Sequence, residues 1–175
     1  MKKIYLIRDA KAEDFSEGVS DFERPLRKKG YKELKTIGSY LRLRGISPDL
    51  VLSSCALRAQ QTAISLCESL SFDGEKLFLE ELYYPPYDDI ISIIMAQEKE
   101  CSSIFLIAHA PYITDLANRL GSETIAKIPA AAVLSLAFDI NEWSELELQS
   151  GSHEFFIYPK QFKYYMPREI RAILG

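Results

Sequence analysis

Four side chains, Arg8, Asp9, Arg58 and His109, fall where apolar runs stop, and their types suit the binding of a tetrahedral oxyanion. Ile4-Tyr5-Leu6-Ile7 ends in Arg8-Asp9, and Ile104-Phe105-Leu106-Ile107-Ala108 ends in His109. Between them, Leu50-Val51-Leu52 runs through Ser53-Ser54-Cys55 to Arg58, a strand turning into a helix with Arg58 in its first turns. In open α/β sheets, ligands bind beyond the carboxyl ends of the strands, where side chains and helix starts converge. Guanidinium groups are planar, permanently charged forks that match phosphate oxygens two at a time. Helix starts near Cys55 and Pro111 are expected to add backbone N–H groups. Phosphoryl transfer asks a protein chiefly for positioning and charge neutralisation, which two arginines and a histidine can supply. Taken singly, each residue has an ordinary explanation: an edge salt bridge for Arg8, a hydrogen-bonded structural histidine for His109, a solvated helix position for Arg58. Their joint placement at three strand ends favours one shared pocket.

The elements that must position these groups alternate between apolar runs and helical patterns, the signature of an α/β protein with a mostly parallel sheet. Strands are expected at Ile4–Ile7, Leu50–Leu52, Leu77–Leu79 and Ile104–Ile107, the last suited to burial on both faces. Lys11–Glu23 is polar and reads as a loop over the strand tips. A helix from about Leu26 to Arg44 carries Leu34, Ile37 and Leu41 at helical spacing, with Gly45 ending it. The next helix shows Leu57, Ile64, Cys67 and Leu70 on one face, with Ser54 as its N-cap. After a turn at Tyr83–Pro86, Ile90, Ile93 and Ile94 begin another helix. Pro111 opens a further one with the stripe Ile113, Leu116, Ala117 and Leu120. Val133–Phe138 is expected to pair with Glu145–Leu148, and Phe155–Tyr158 to form an edge strand stopped by Pro159. The aromatic-rich tail from Phe155 to Met166 is expected to pack back onto the domain. The cationic run Arg27, Lys28, Lys29, Lys32 and Lys35 reads as a solvated helix face, and Trp143 and His153 as core or ordinary surface.

With 175 residues, 47% hydrophobic and 26% charged, the chain fits a single globular domain, residues 1–175. No apolar run is long enough to span a bilayer, and the N-terminus reads as a strand rather than a signal peptide, so a cytoplasmic protein without membrane contact is expected. Cys55, Cys67 and Cys101 show neither metal spacing nor a disulfide framework. A formal charge of −4 gives no reason to expect a nucleic-acid partner.

Four stretches, in order, resemble a known family: Arg8-Asp9-Ala10-Lys11-Ala12, Arg24-Pro25-Leu26-Arg27-Lys28-Lys29-Gly30, Ser54-Cys55-Ala56-Leu57-Arg58-Ala59-Gln60-Gln61-Thr62 and Ala108-His109-Ala110-Pro111. They are similar to the motifs of the histidine phosphatase superfamily, and within it the short bacterial phosphohistidine phosphatases of the SixA type. The resemblance spans roughly the first two-thirds of the chain, and four weak motifs in order make a specific signal. It implies a three-layer αβα fold of the phosphoglycerate-mutase-like type. It also implies a hydrolase acting on phosphohistidine of a protein partner or, as runner-up, on a small phosphate ester. No metal or organic cofactor is implied. Arg8, Arg58 and His109 become the phosphate-binding and charge-stabilising set, with Arg24 a fourth contact. The Glu13–Phe15 loop and the Glu80–Asp88 stretch would flank the entrance, and Glu81 is a candidate acid for a leaving alcohol.

The family's phosphate-accepting histidine is replaced by Asp9. A carboxylate is shorter than an imidazole, and misplacing an attacking atom by about 1 Å is costly in rate. It is also an anion, and like charges within about 4–6 Å disfavour each other's ionised forms. Weaker anion binding and slower turnover are expected. Three readings stay open on the sequence: a phosphatase with residual activity in which Asp9 accepts the phosphoryl group, a module that binds without hydrolysing, or an ordinary phosphatase carrying an introduced substitution.

Overall fold

Residues 1–164 and 166–174 are described by a computed structural model. Its centre is β1 (Lys2–Arg8) between β4 (Ser103–Ala108) and β5 (Val133–Phe138), flanked by β2 (Leu50–Ser54), β3 (Lys76–Leu79) and β6 (Ser152–Ile157). The six-stranded order is β3-β2-β4-β1-β5-β6. The first four strands run parallel, and β5 runs opposite to them, pairing antiparallel with both β1 and β6. The sheet is therefore mostly parallel, with a mixed edge.

Side chains in a strand alternate between the two faces of a sheet, and here both faces are covered. Ile4, Leu6, Ile104, Leu106, Leu134 and Leu136 join one apolar core. Tyr5, Ile7, Phe105, Ile107, Val51 and Val133 join the other. Helices α1 (Lys28–Leu43) and α2 (Leu57–Leu70) cover the second face. Helices α3 (Asp88–Met95) and α4 (Tyr112–Leu120) cover the first. Short helices α5 (Gln161–Tyr164) and α6 (Arg168–Leu174) complete the chain. This is the three-layer αβα arrangement. Among the described residues, no helix is long and apolar enough to cross a membrane.

Most expected elements form, with differences that have physical causes. Gly45 follows α1 at φ +66°, a left-handed position that favours glycine. The α4 stripe of Ile113, Leu116, Ala117 and Leu120 is buried as expected, with Pro111 sitting just before the helix rather than in it. The α2 face is different. Ile64 is 43% exposed, while Arg58, Ala59, Thr62, Ala63, Leu66 and Cys67 point inward. Ser54 does not cap α2; Ala56 precedes the helix, and the Ser54 hydroxyl is drawn inward to His109. Glu145–Leu148 forms no strand. Trp143–Glu145 is a 3-10 turn anchored by the buried Trp143, whose Nε1 donates to the Cys101 carbonyl, and β5 pairs with β6 instead. Phe155 and Phe162 of the aromatic tail pack against the α1 side of the core; Tyr165 lies outside the described residues.

Candidate functional site

The strand order explains the site. Because β4 lies between β1 and β2, three segments distant in sequence end side by side: Arg8 pairs with Ala108, and Ser53 with Ile107. The next residues are Asp9, His109 and Ser54, and the Asp9 N–H donates to the Ala108 carbonyl at 3.0 Å. A cavity of about 340 Å³ opens over these ends. Arg8, Lys11, Arg24, Arg27 and Arg58 line it with His109, and among the described residues Asp9 is the sole carboxylate in the lining. Such a density of permanent cations is an oxyanion environment.

At its floor Asp9, Arg58 and His109 are all buried. Arg58 Nε donates to Asp9 Oδ2 at 2.9 Å, and His109 Nδ1 lies 3.2 Å from the same oxygen. His109 Nε2 is 2.7 Å from Ser54 Oγ. A carboxylate oxygen only accepts, so the proton belongs on Nδ1 and the Ser54 hydroxyl donates to Nε2. Nδ1 is itself buried and, although close to Asp9, is not aligned for a hydrogen bond to it, so the contact between them is one of proximity and charge. Tyr83 packs edge-on against the His109 ring, 5.8 Å between centroids.

A second carboxylate grips Arg58 from the loop. Asp21, in the 3-10 turn Asp21–Glu23, accepts at Oδ2 from Arg58 Nη2 at 3.2 Å and from the Tyr83 hydroxyl at 3.0 Å. Its Oδ1 accepts from Arg24 Nη2 at 2.7 Å, and its carbonyl accepts from Arg58 Nη1 at 2.8 Å. Partial burial would raise its pKa, but the Arg24 hydrogen bond, the Arg58 charge and the Tyr83 hydroxyl together hold it below the ordinary carboxylate value. The other arginines are steered by backbone: Arg8 donates to the Ile128 carbonyl, Arg24 to Glu13 and Arg27 to Ala12.

Arg8, Asp9, Arg24, Arg58 and His109 thus meet around one cavity. Glu81 does not join them. It is exposed in the turn Glu80–Leu82 and lines a separate cavity with Pro85 and Pro86. The Glu80–Asp88 stretch borders that cavity too, except that Leu82 is buried in the core and Tyr83 turns back toward Asp21. The start of α2 enters the lining through Arg58, and Ala110 stands in it just ahead of α4, together with Ala10, Ala12 and Ala130. Arg27 belongs to the pocket rather than to a solvated face. Sequence reasoning missed Asp21, Tyr83 and the Ser54 contact. Asp21 stands three residues before Arg24, a spacing that brings acid and base together on one helical turn.

No family model matches the sequence. An uncharacterized protein of Mycobacterium leprae is 30% identical over 157 residues, covering 83% of this chain and 93% of its own length. The fold is similar to the protein histidine phosphatase SixA complexed with tungstate, with a TM-score of 0.78 and 24% identity over 91% of this chain and 99% of that one. A second similar structure is a putative phosphohistidine phosphatase SixA from Agrobacterium tumefaciens, with a TM-score of 0.75 and 26% identity over 90% of this chain and 99% of that one.

Proposed function

Because the chain has the SixA-like fold, we propose that it is a member of the histidine phosphatase superfamily whose pocket receives the phosphoryl group of a phosphohistidine on a protein partner, with hydrolysis suppressed by Asp9. The observation that carries this reading is the position of Asp9 Oδ2, which accepts from Arg58 Nε and lies 3.2 Å from His109 Nδ1, two groups that a phosphoryl oxygen would use. In the family a histidine stands at this position and attacks phosphorus. Here the corresponding group is an anion held by an ion pair, so an incoming phosphoryl group must displace it from Arg58 or be repelled by it.

Arg8, Arg24, Arg58 and His109 have the roles of anchoring and neutralising the phosphoryl oxygens, a demand met by fixed donors aimed into a cavity. A phosphohistidine leaves as an imidazole, so a strong acid near the leaving group is less needed. That agrees with the absence of Glu81 from the lining. The whole chain acts as one domain in this reading. The unpaired thiols of Cys55, Cys67 and Cys101 suit the reducing cytoplasm, where we place the protein.

The test is Asp9→His, assayed with a protein chemically phosphorylated on histidine. The variant should release phosphate faster than the wild type by on the order of 10²-fold or more, because the remaining groups are already assembled. A variant as inert as the wild type would show that the pocket is not a phosphatase's. Labelled phosphate trapped as an acyl phosphate on wild-type Asp9 would make Asp9 an acceptor and overturn the suppression.

A further inference from the structure

A second cavity, about 750 Å³, adjoins the first, and Lys11 lines both. Its walls carry Lys11, Lys28, Lys29, Lys32, Lys160 and Lys163, against, among the described residues, the single carboxylate of Glu33. Pro159, Phe162 and Met166 supply apolar surface beside them. The chain as a whole is acidic, at −4, so this concentration of ammonium groups is a local reversal of the protein's charge. We propose that this groove docks an acidic segment of the phosphorylated partner protein while the neighbouring pocket takes its phosphoryl group. The inference rests on the functional reading above only for what occupies the pocket.

Two features show that the cations are arranged against local stability. Lys28 and Lys29 open α1, at the positive end of its dipole, with no acidic residue in the first turn. Nearby Lys11 makes the Lys29 ammonium easier to deprotonate and Lys163 adds to the repulsion, with Glu33, which pairs with Lys11 at 3.2 Å, opposing them in part. An occupant bearing carboxylates relieves both. Groove and pocket also hold a fixed relation. The Arg27 N–H donates to the Lys11 carbonyl at 3.0 Å, and a Cβ at Gly30 would meet that oxygen at 2.5 Å, so the strand-end segment lies directly on the helix. Among the described residues, Phe162 is the one aromatic side chain in the groove lining.

The probe is a fluorescein-labelled, Asp- and Glu-rich dodecapeptide, titrated by anisotropy into the wild type, K28E/K29E/K32E, the neutral K28Q/K29Q/K32Q, and the control Lys127→Glu. Tungstate binding is measured calorimetrically on the same samples. The wild type and the control should bind the peptide alike, with affinity falling as salt rises. Both triple variants should bind it about tenfold or more weakly, with charge reversal the worse, while tungstate affinity stays unchanged. Equal peptide binding by the wild type and the triple variants would overturn the proposal. So would tighter binding of a mixed-sequence RNA dodecamer, or of phosphatidylglycerol vesicles, than of the peptide. Tungstate binding to none of the proteins would fault the phosphoryl pocket and leave the peptide arm to judge the groove.

Discussion

Asp9 is an internal anion seated where an external one is to bind, and its removal should separate binding from chemistry. Asp9→Asn keeps the size but drops the charge, freeing Arg58 Nε and His109 Nδ1 for a ligand. Tungstate or phosphate should then bind about tenfold or more tightly by calorimetry, while phosphohistidine hydrolysis does not rise. Asp21 makes a prediction of opposite kind. Its folded pKa is depressed, so it contributes stability above about pH 3.8, lost as pH falls through the lower folded value. The melting temperature of Asp21→Asn should lie below the wild type's at pH 7, and the gap should narrow as pH falls below about 3.8 through the depressed folded value. A gap that persists in acid would mean that Asp21 acts through packing rather than through its charge on Arg58 and Arg24.

Helix α1 carries the groove's lysines at its positive end, so their replacement should strengthen the helix while weakening docking. K28E/K29E/K32E should melt about 2–4 °C higher than the wild type, as first-turn acids complement the dipole. A lower melting temperature would mean the lysines already have stabilising partners. Elements differed in how far they could be read from sequence. β1 and β4 were legible because buried parallel strands are continuous apolar runs. β2 runs two residues further than its apolar stretch because Ser53 and Ser54 are buried polar groups, the second held by His109. The face of α2 was misread because Leu57 and Ile64 look like core. The helix instead turns Arg58 and Thr62 inward, and Thr62 Oγ1 accepts from the Ala10 N–H beside the site. The Asp21 turn sits in a loop, where no periodicity announces which carboxylate will meet which arginine. Residues at strand ends were therefore readable, and their loop-borne partners were not.

At the scale of the molecule, two cores seal the sheet, and each hides a group that resists ionisation. Burial pushes Cys67, in the α1-side core, up to about 11, and Tyr87, in the other, up to about 12. Both are neutral when protonated and ionise earlier in the unfolded chain, near 9 and 10. Stability is therefore complete below about pH 9 and is lost as pH rises through the folded values. Melting temperature should be flat to about pH 9 and fall steeply by pH 12. Cys67→Ser and Tyr87→Phe should each flatten part of that fall, and a wild-type profile level to pH 12 would contradict the burial of both groups. The placement of β4 between β1 and β2 carries one more consequence. A ribosome that has released only the first hundred residues has produced two of the site's three corners with a gap between them. The three corners converge when the intervening strand slots in, so a bound oxyanion reports that β4 is in place, and a nascent piece that stops short of it cannot present the same grip.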